Sequence, residues 1–288
     1  MKKLFILFII LNWATVFPSS AQLLWKITGN GLKKPSYIFG TNELIPVAFL
    51  DSIPELYKTF NDCETVISEF VTNSIDATKT IQSAASIPGN KTLKDYISEK
   101  NYETVDKELK STLKAGLTDL AKMRPNIVLN LYKLELFRQI THVMDDAQSD
   151  SYFQIAASLK GKKIIGLESV DQQIEYRIHN ESIEDGAQEL ENCIIRKDSL
   201  KNSLLMFYRL YKSEKINDLS LLANSSNIKN SDLQSLTNKR ISFWAKEIPG
   251  IIYNKKCFIT VDVSTLAGDS GLIHLLQQKG FKVKPVEK

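Results

Sequence analysis

Four short runs rich in Ile, Val and Phe constrain this chain more than any other feature. They are "SYIFG" (36–40), "TVISEF" (65–70), "KKIIGLE" (162–168) and "CFITVDV" (257–263). Each has strand length and is bounded by turn residues, whereas the stretches between them are long, amphipathic and helical in period. That alternation predicts an α/β fold: a central mixed β-sheet flanked by helices, with a largely helical cap. "WKITG" (25–29) and "FKVKPV" (281–286) are weaker strands, expected at sheet edges because Lys and Pro suit an exposed edge.

In the first helical stretch, Thr92 of "TLKDYISE" is a good N-cap and Pro125 of "RPNIVLNLYKLELFRQITHVM" marks a helix start. "SDSYFQIAASLKG" then leads through Gly161 into the third strand. The second stretch covers roughly 170–247, with "NSSNIKNSDL" (224–233) expected as a polar loop inside it.

The chain opens "MKKLFILFIILNWATVFPSSAQ", a positive start, a short apolar run and a small-residue exit. This predicts a signal peptide over 1–21, cleaved after Ala21, and a periplasmic or secreted destination. Residues 22–288 are then expected to form a single domain. The apolar run of about 7 residues falls short of the ~20 needed to span a bilayer. The formal charge of +4 drops by about two when Lys2 and Lys3 leave, a balance that implies no nucleic-acid or membrane partner. Cys63, Cys193 and Cys257 are an odd set. One disulfide with a free thiol, and three small buried residues, both remain open.

Chemistry is expected at the strand ends. Thr41, Asn42 and Glu43 follow the first strand, Glu69 lies inside the second, Glu168 closes the third, and Asp262, Ser264 and Thr265 follow the fourth. Carboxylates there are costly to bury unless paired, protonated or metal-bound. Glu69 and Glu168 can be structural, accepting backbone N–H groups or pairing with Arg240. Alternatively Glu43, Glu69 and Glu168 line one cleft as oxygen ligands or an acid/base pair. Glu43 can also simply cap the segment "IPVAFLDSIPEL". His142, His179 and His274 are scattered through helical stretches, and no metalloprotease helix motif, nucleophile elbow or phosphate loop is present.

Several stretches in order carry a resemblance: "LLWKITGNGLKKPSYIFGTNELIP", "VISEF", "MRPNIVLNL", "SDSYFQIAASLKGKKIIGLESVDQQ", "NKRISFWAKEI" and "DVSTLAGDSGLIHLLQQKGFKV". Over nearly the whole length after the leader, the chain resembles the TraB/GumN family, which includes the Tiki proteins and is distantly related to erythromycin-esterase-like folds. The resemblance implies two Gly-x-x-His motifs whose histidines, with a glutamate on the next strand, bind a divalent metal for peptide hydrolysis. Here Gly40 and Thr41 match the first motif, but Glu43 stands at its histidine. In the second, Asp262 replaces the glycine and Thr265 the histidine. Glu69, Asp150, Glu168 and Arg240 fit the family pattern, while Ile241 stands where an asparagine commonly follows the arginine.

Two functions follow. One is a non-catalytic member whose cleft, with Asn42, Asp150, Arg240 and Ser264 as binding residues, takes a peptide or protein. The other is a metal-dependent peptidase rebuilt on carboxylates. Glu43, Glu69 and Thr265 would then hold Mg²⁺, Ca²⁺ or Mn²⁺, with Glu69 and Glu168 in the catalytic roles.

Overall fold

The computed structural model describes residues 22–71, 75–143, 149–227 and 231–287. The leader-like segment 1–21 lies outside the described residues, as does the side chain of Asp150.

Strands β1 (Leu24–Gly29), β2 (Ser36–Thr41), β3 (Thr65–Ser68), β4 (Lys163–Gly166), β5 (Cys257–Asp262) and β6 (Phe281–Pro285) form one sheet in the order β4-β3-β5-β2-β1-β6. The block β4-β3-β5-β2 is parallel, and β1 joins β2 and β6 antiparallel. The sheet is therefore mixed, as the alternating pattern implies.

Two expectations need correcting. β1 is an inner strand, paired on both sides. Its Lys26 is exposed between the buried Trp25 and Ile27, so the lysine marks an open face of the strand and not an open edge. The second edge is instead β4. β3 stops at Ser68, so Glu69 lies just beyond the strand and not inside it.

The register sets the two faces. Tyr37, Phe39 and Thr41 of β2 align with Phe258, Thr260 and Asp262 of β5, and Val66 and Ser68 of β3 continue the row. Helices α1 (Leu56–Asp62) and α5 (Ser149–Leu159) cover this side through aromatic contacts. The Phe153 ring lies 5.5 Å from Phe39, 5.3 Å from Phe60 and 4.9 Å from Phe258. Such pairs add about 0.5–1.5 kcal/mol each beyond burial. The same buried cluster includes Trp244 and Ile248 of α10 (Ser231–Ile252) and Leu272 and Leu276 of α11 (Leu272–Gln278).

A second apolar cluster belongs to the cap. Past α2 (Ile75–Ala84), it gathers α3 (Tyr102–Leu113), α4 (Pro125–Thr141) and α7 (Ile183–Ile195) with Leu204 of α8 (Lys197–Lys212). Pro125 opens α4, as its fixed φ favours. Asp95 Oδ2 accepts from Thr92 N at 2.7 Å and from the Thr92 hydroxyl at 2.8 Å, but the turn they start is a short 3-10 helix, Leu93–Tyr96. The polar stretch 224–233 is only in part a loop. Helix α9 (Ile216–Asn227) runs through its first half, α10 begins at Ser231, and 228–230 lie outside the described residues.

Candidate functional site

The parallel block brings its strand C-termini together, the usual place for a site in a sheet of this kind. Thr41 aligns with Asp262, and Ser68 with Thr260 and Gly166. Asn42 and Glu69 follow directly, and Glu168 comes one residue further on, after Leu167. Helix α6 (Val170–Arg177) starts just past Glu168. Its capping box is complete: Ser169 Oγ accepts from Gln172 N at 3.2 Å, and Gln172 Oε1 from Ser169 N at 2.8 Å. That start fixes Gln173, Tyr176 and Arg177, at three- and four-residue spacing, over the strand ends.

Arg240 is the hub. Its Nε donates to Glu168 Oε1 at 2.7 Å, and its Nη2 donates to Glu168 Oε2 at 2.9 Å and Glu69 Oε2 at 3.0 Å. The guanidinium carbon lies 3.5 Å from the Tyr176 ring centroid and 4.7 Å from that of Trp244. All three charged residues are at most 8 % exposed. Glu168 also accepts from Trp244 Nε1 at 2.8 Å and from the Gln173 amide. Glu69 Oε1 accepts from Asp262 N at 2.9 Å, and Arg177 Nη2 reaches Glu69 Oε2 at 3.4 Å. Burial alone would raise the Glu69 carboxyl, but Arg177, Arg240 and the Asp262 backbone outweigh it and hold it below the ordinary range.

Asp262 sits differently. Asn42 Nδ2 donates to its Oδ2 at 2.9 Å, and Ser264 N to its Oδ1 at 2.9 Å; the Ser264 hydroxyl donates to the same oxygen. Burial first, and then the neighbouring Glu69 charge, push its carboxyl upward, against the Ser264 bonds and Arg177. Thr265 turns away, its hydroxyl donating to Asp262 O at 2.7 Å, and it is 2 % exposed. Glu43 is half-buried and stands 3.6 Å from Arg177 Nη1.

These contacts decide how a cation would fare. Oxygen ligands must converge to ~2.0–2.6 Å from one point. Glu69 has both oxygens engaged by N–H donors, Glu43 faces a guanidinium, and Thr265 directs its hydroxyl at a carbonyl. Among the described residues, no three His, Cys, Asp or Glu side chains are grouped so that they could hold a metal ion. The residues present do not fit the cation that the family resemblance implies.

Above the hub opens a cleft of about 480 Å³, lined on this side by Asn42, Glu69, Arg177, Arg240, Asp262 and Ser264. Leu44 and residues of α8, α9 and α10 form an apolar wall, and α4 contributes Asn130 and Lys133. Of the residues expected at the site, Asn42, Glu69, Arg240 and Ser264 line this cleft, and Glu168 lies beneath it as the second partner of Arg240. Sequence reasoning missed Arg177, Gln173, Tyr176 and Trp244. The signal was present: Gln173 and Arg177, like Arg240 and Trp244, are four residues apart on one helix and share a face.

A family model described as the TraB/PrgY/gumN family matches residues 23–285. No curated protein and no solved structure matches the chain.

Proposed function

The chain belongs to the TraB/PrgY/gumN family, and from that premise we propose that it is a non-catalytic member whose cleft binds a peptide or a segment of a partner protein. The observation that carries this reading is the engagement of Glu69 and Glu168 by Arg240 and Arg177. Carboxylates neutralised this way hold the sheet and helices together and leave no oxygen directed at an ion. Without a metal to lower the pKa of water, a hydrolase of the expected type has no nucleophile.

The cleft itself supports binding. It pairs an apolar wall with polar groups at strand ends, a common composition for a ligand site. The leader-like residues 1–21 support export, so the partner would be met outside the cytoplasm.

The test is a calorimetric titration of the purified chain with Mg²⁺, Ca²⁺, Mn²⁺, Co²⁺ and Zn²⁺. No stoichiometric binding is expected. Binding that disappears in both Glu43→Ala and Glu69→Ala would overturn the reading in favour of the carboxylate-based, metal-dependent peptidase.

A further inference from the structure

The charged groups at the strand ends are committed to one another, whereas the cap side of the cleft is not. On α4, the buried Asn126 donates from Nδ2 to the carbonyl of Ile178 at 2.9 Å. Asn130 and Lys133 follow it at four and seven residues, so one helical stripe runs from that grip into the cleft that both residues line. Two residues past Ile178 comes Asn180, which lines the same cleft. Its Oδ1 is buried and has no hydrogen-bond partner among the described residues. Lys133 is half-buried and makes no hydrogen bond or ion pair among the described residues. Glu181 and the Cys193 thiol lie within its field; burial pushes the Glu181 carboxyl up and Lys133 only partly restrains it.

A buried amide oxygen without a donor is costly, so a turn of the Asn180 side chain into the cleft it lines, where a ligand supplies an N–H, relieves that cost. The Lys133 ammonium on the same cleft favours an anion. The same cleft is lined by Leu44, Leu200, Leu204, Phe207, Leu222 and Leu233, which favour an apolar side chain. A single chemical group meets all three demands: the end of a peptide chain, with its carboxylate, its last backbone N–H and its terminal side chain.

We propose that this wall holds the C-terminus of a peptide, with Lys133 on the carboxylate, Asn180 on the last amide and the apolar wall on an aliphatic or aromatic final residue. This deepens the peptide reading above and rests on it. A turned Asn180 amide would present its NH₂ to a peptide carbonyl instead, so the side chain complements either edge of a peptide unit. A simple fatty carboxylate would satisfy Lys133 yet supply no donor to the amide oxygen.

The test uses fluorescence anisotropy on the full chain. The probe is a labelled hexapeptide pool ending in Leu, Ile or Phe, prepared with a free carboxylate and as the amide, with decanoate as competitor. The free-acid pool is expected to bind at least tenfold tighter than the amide. Lys133→Met should erase that difference, Lys133→Arg should retain most of it, and Asn180→Leu should weaken both pools. Equal binding of the two pools, or an unchanged preference in Lys133→Met, would overturn the carboxylate inference and leave peptide binding standing. No binding of either pool would overturn both. Decanoate binding that depends on Lys133, with no peptide binding, would also overturn both and point to a lipid carboxylate.

Discussion

Arg240 and Glu168 meet fork to fork, through parallel hydrogen bonds of 2.7 and 2.9 Å, and the same guanidinium lies over the rings of Tyr176 and Trp244. The pair ties α10 to the end of β4, and through Glu69 to the end of β3.

Breaking this pair from one side should be severe. Arg240→Ala leaves the buried Glu168 without its counter-charge, which costs about 3–5 kcal/mol for a pair of this kind. Arg240→Lys should recover little, because an ammonium can neither form the fork nor stack as a plane. Denaturant unfolding of both variants checks this; a loss in Arg240→Ala below about 1 kcal/mol, the scale of a surface pair, would count against it.

Two carboxyls at the site should pull the pH dependence of stability in opposite directions. Glu69 is held below its ordinary range when folded. Its contribution is present above the unfolded value of about 4.3 and is lost as pH falls through the folded value. Asp262 is raised by burial and by Glu69. Its contribution is present below the unfolded value of about 3.9 and is lost as pH rises through the folded value. Denaturation midpoints measured across pH should show a flatter acid limb in Glu69→Gln and a flatter decline at higher pH in Asp262→Asn.

Gly40 should resist even alanine. An added Cβ would stand 2.8 Å from Leu266 Cδ1 and 3.1 Å from Val263 Cβ, where the chain folds back against β2. The Gly40 carbonyl also accepts from the buried Tyr211 hydroxyl at 2.6 Å. Overpacking of this kind costs about 1–3 kcal/mol, so Gly40→Ala should unfold at lower temperature by calorimetry.

The three thiols should be poor nucleophiles in the folded chain. Cys63, Cys193 and Cys257 are unpaired in the structure. Burial pushes Cys63 up to about 12 and the other two up to about 11. Reaction with a thiol reagent at neutral pH should be slow in the native state and should reach all three in denaturant. Fewer than three reactive thiols in denaturant would mean that a disulfide forms in solution.

The strands were legible because each is a short apolar run cut by turn residues, and the strand-end residues Asn42, Glu69, Glu168 and Asp262 followed from them. The pairing of Glu69 and Glu168 with Arg240 was also legible as one of two alternatives. Less legible was what decides between those alternatives. Arg177 reaches Glu69 from more than a hundred residues away, and local spacing cannot show which side chain fills a carboxylate's coordination space. Lys26 misled for a related reason: a charged residue in a strand shows that one face is open, while edge position depends on partners contributed by distant segments.

The pairing of β1 with β6 has a consequence for how the chain comes together. Trp25 lies opposite Pro285 and Gly29 opposite Phe281, so one inner strand finds its second neighbour only in the last residues of the sequence. During synthesis the hairpin of β1 and β2 emerges first and then waits, with one side open, while nearly all the helical residues follow. Closure over such a separation is slow and leaves a partly built sheet exposed to wrong pairings. A chain joined head to tail in this way completes its sheet only after its last strand has emerged.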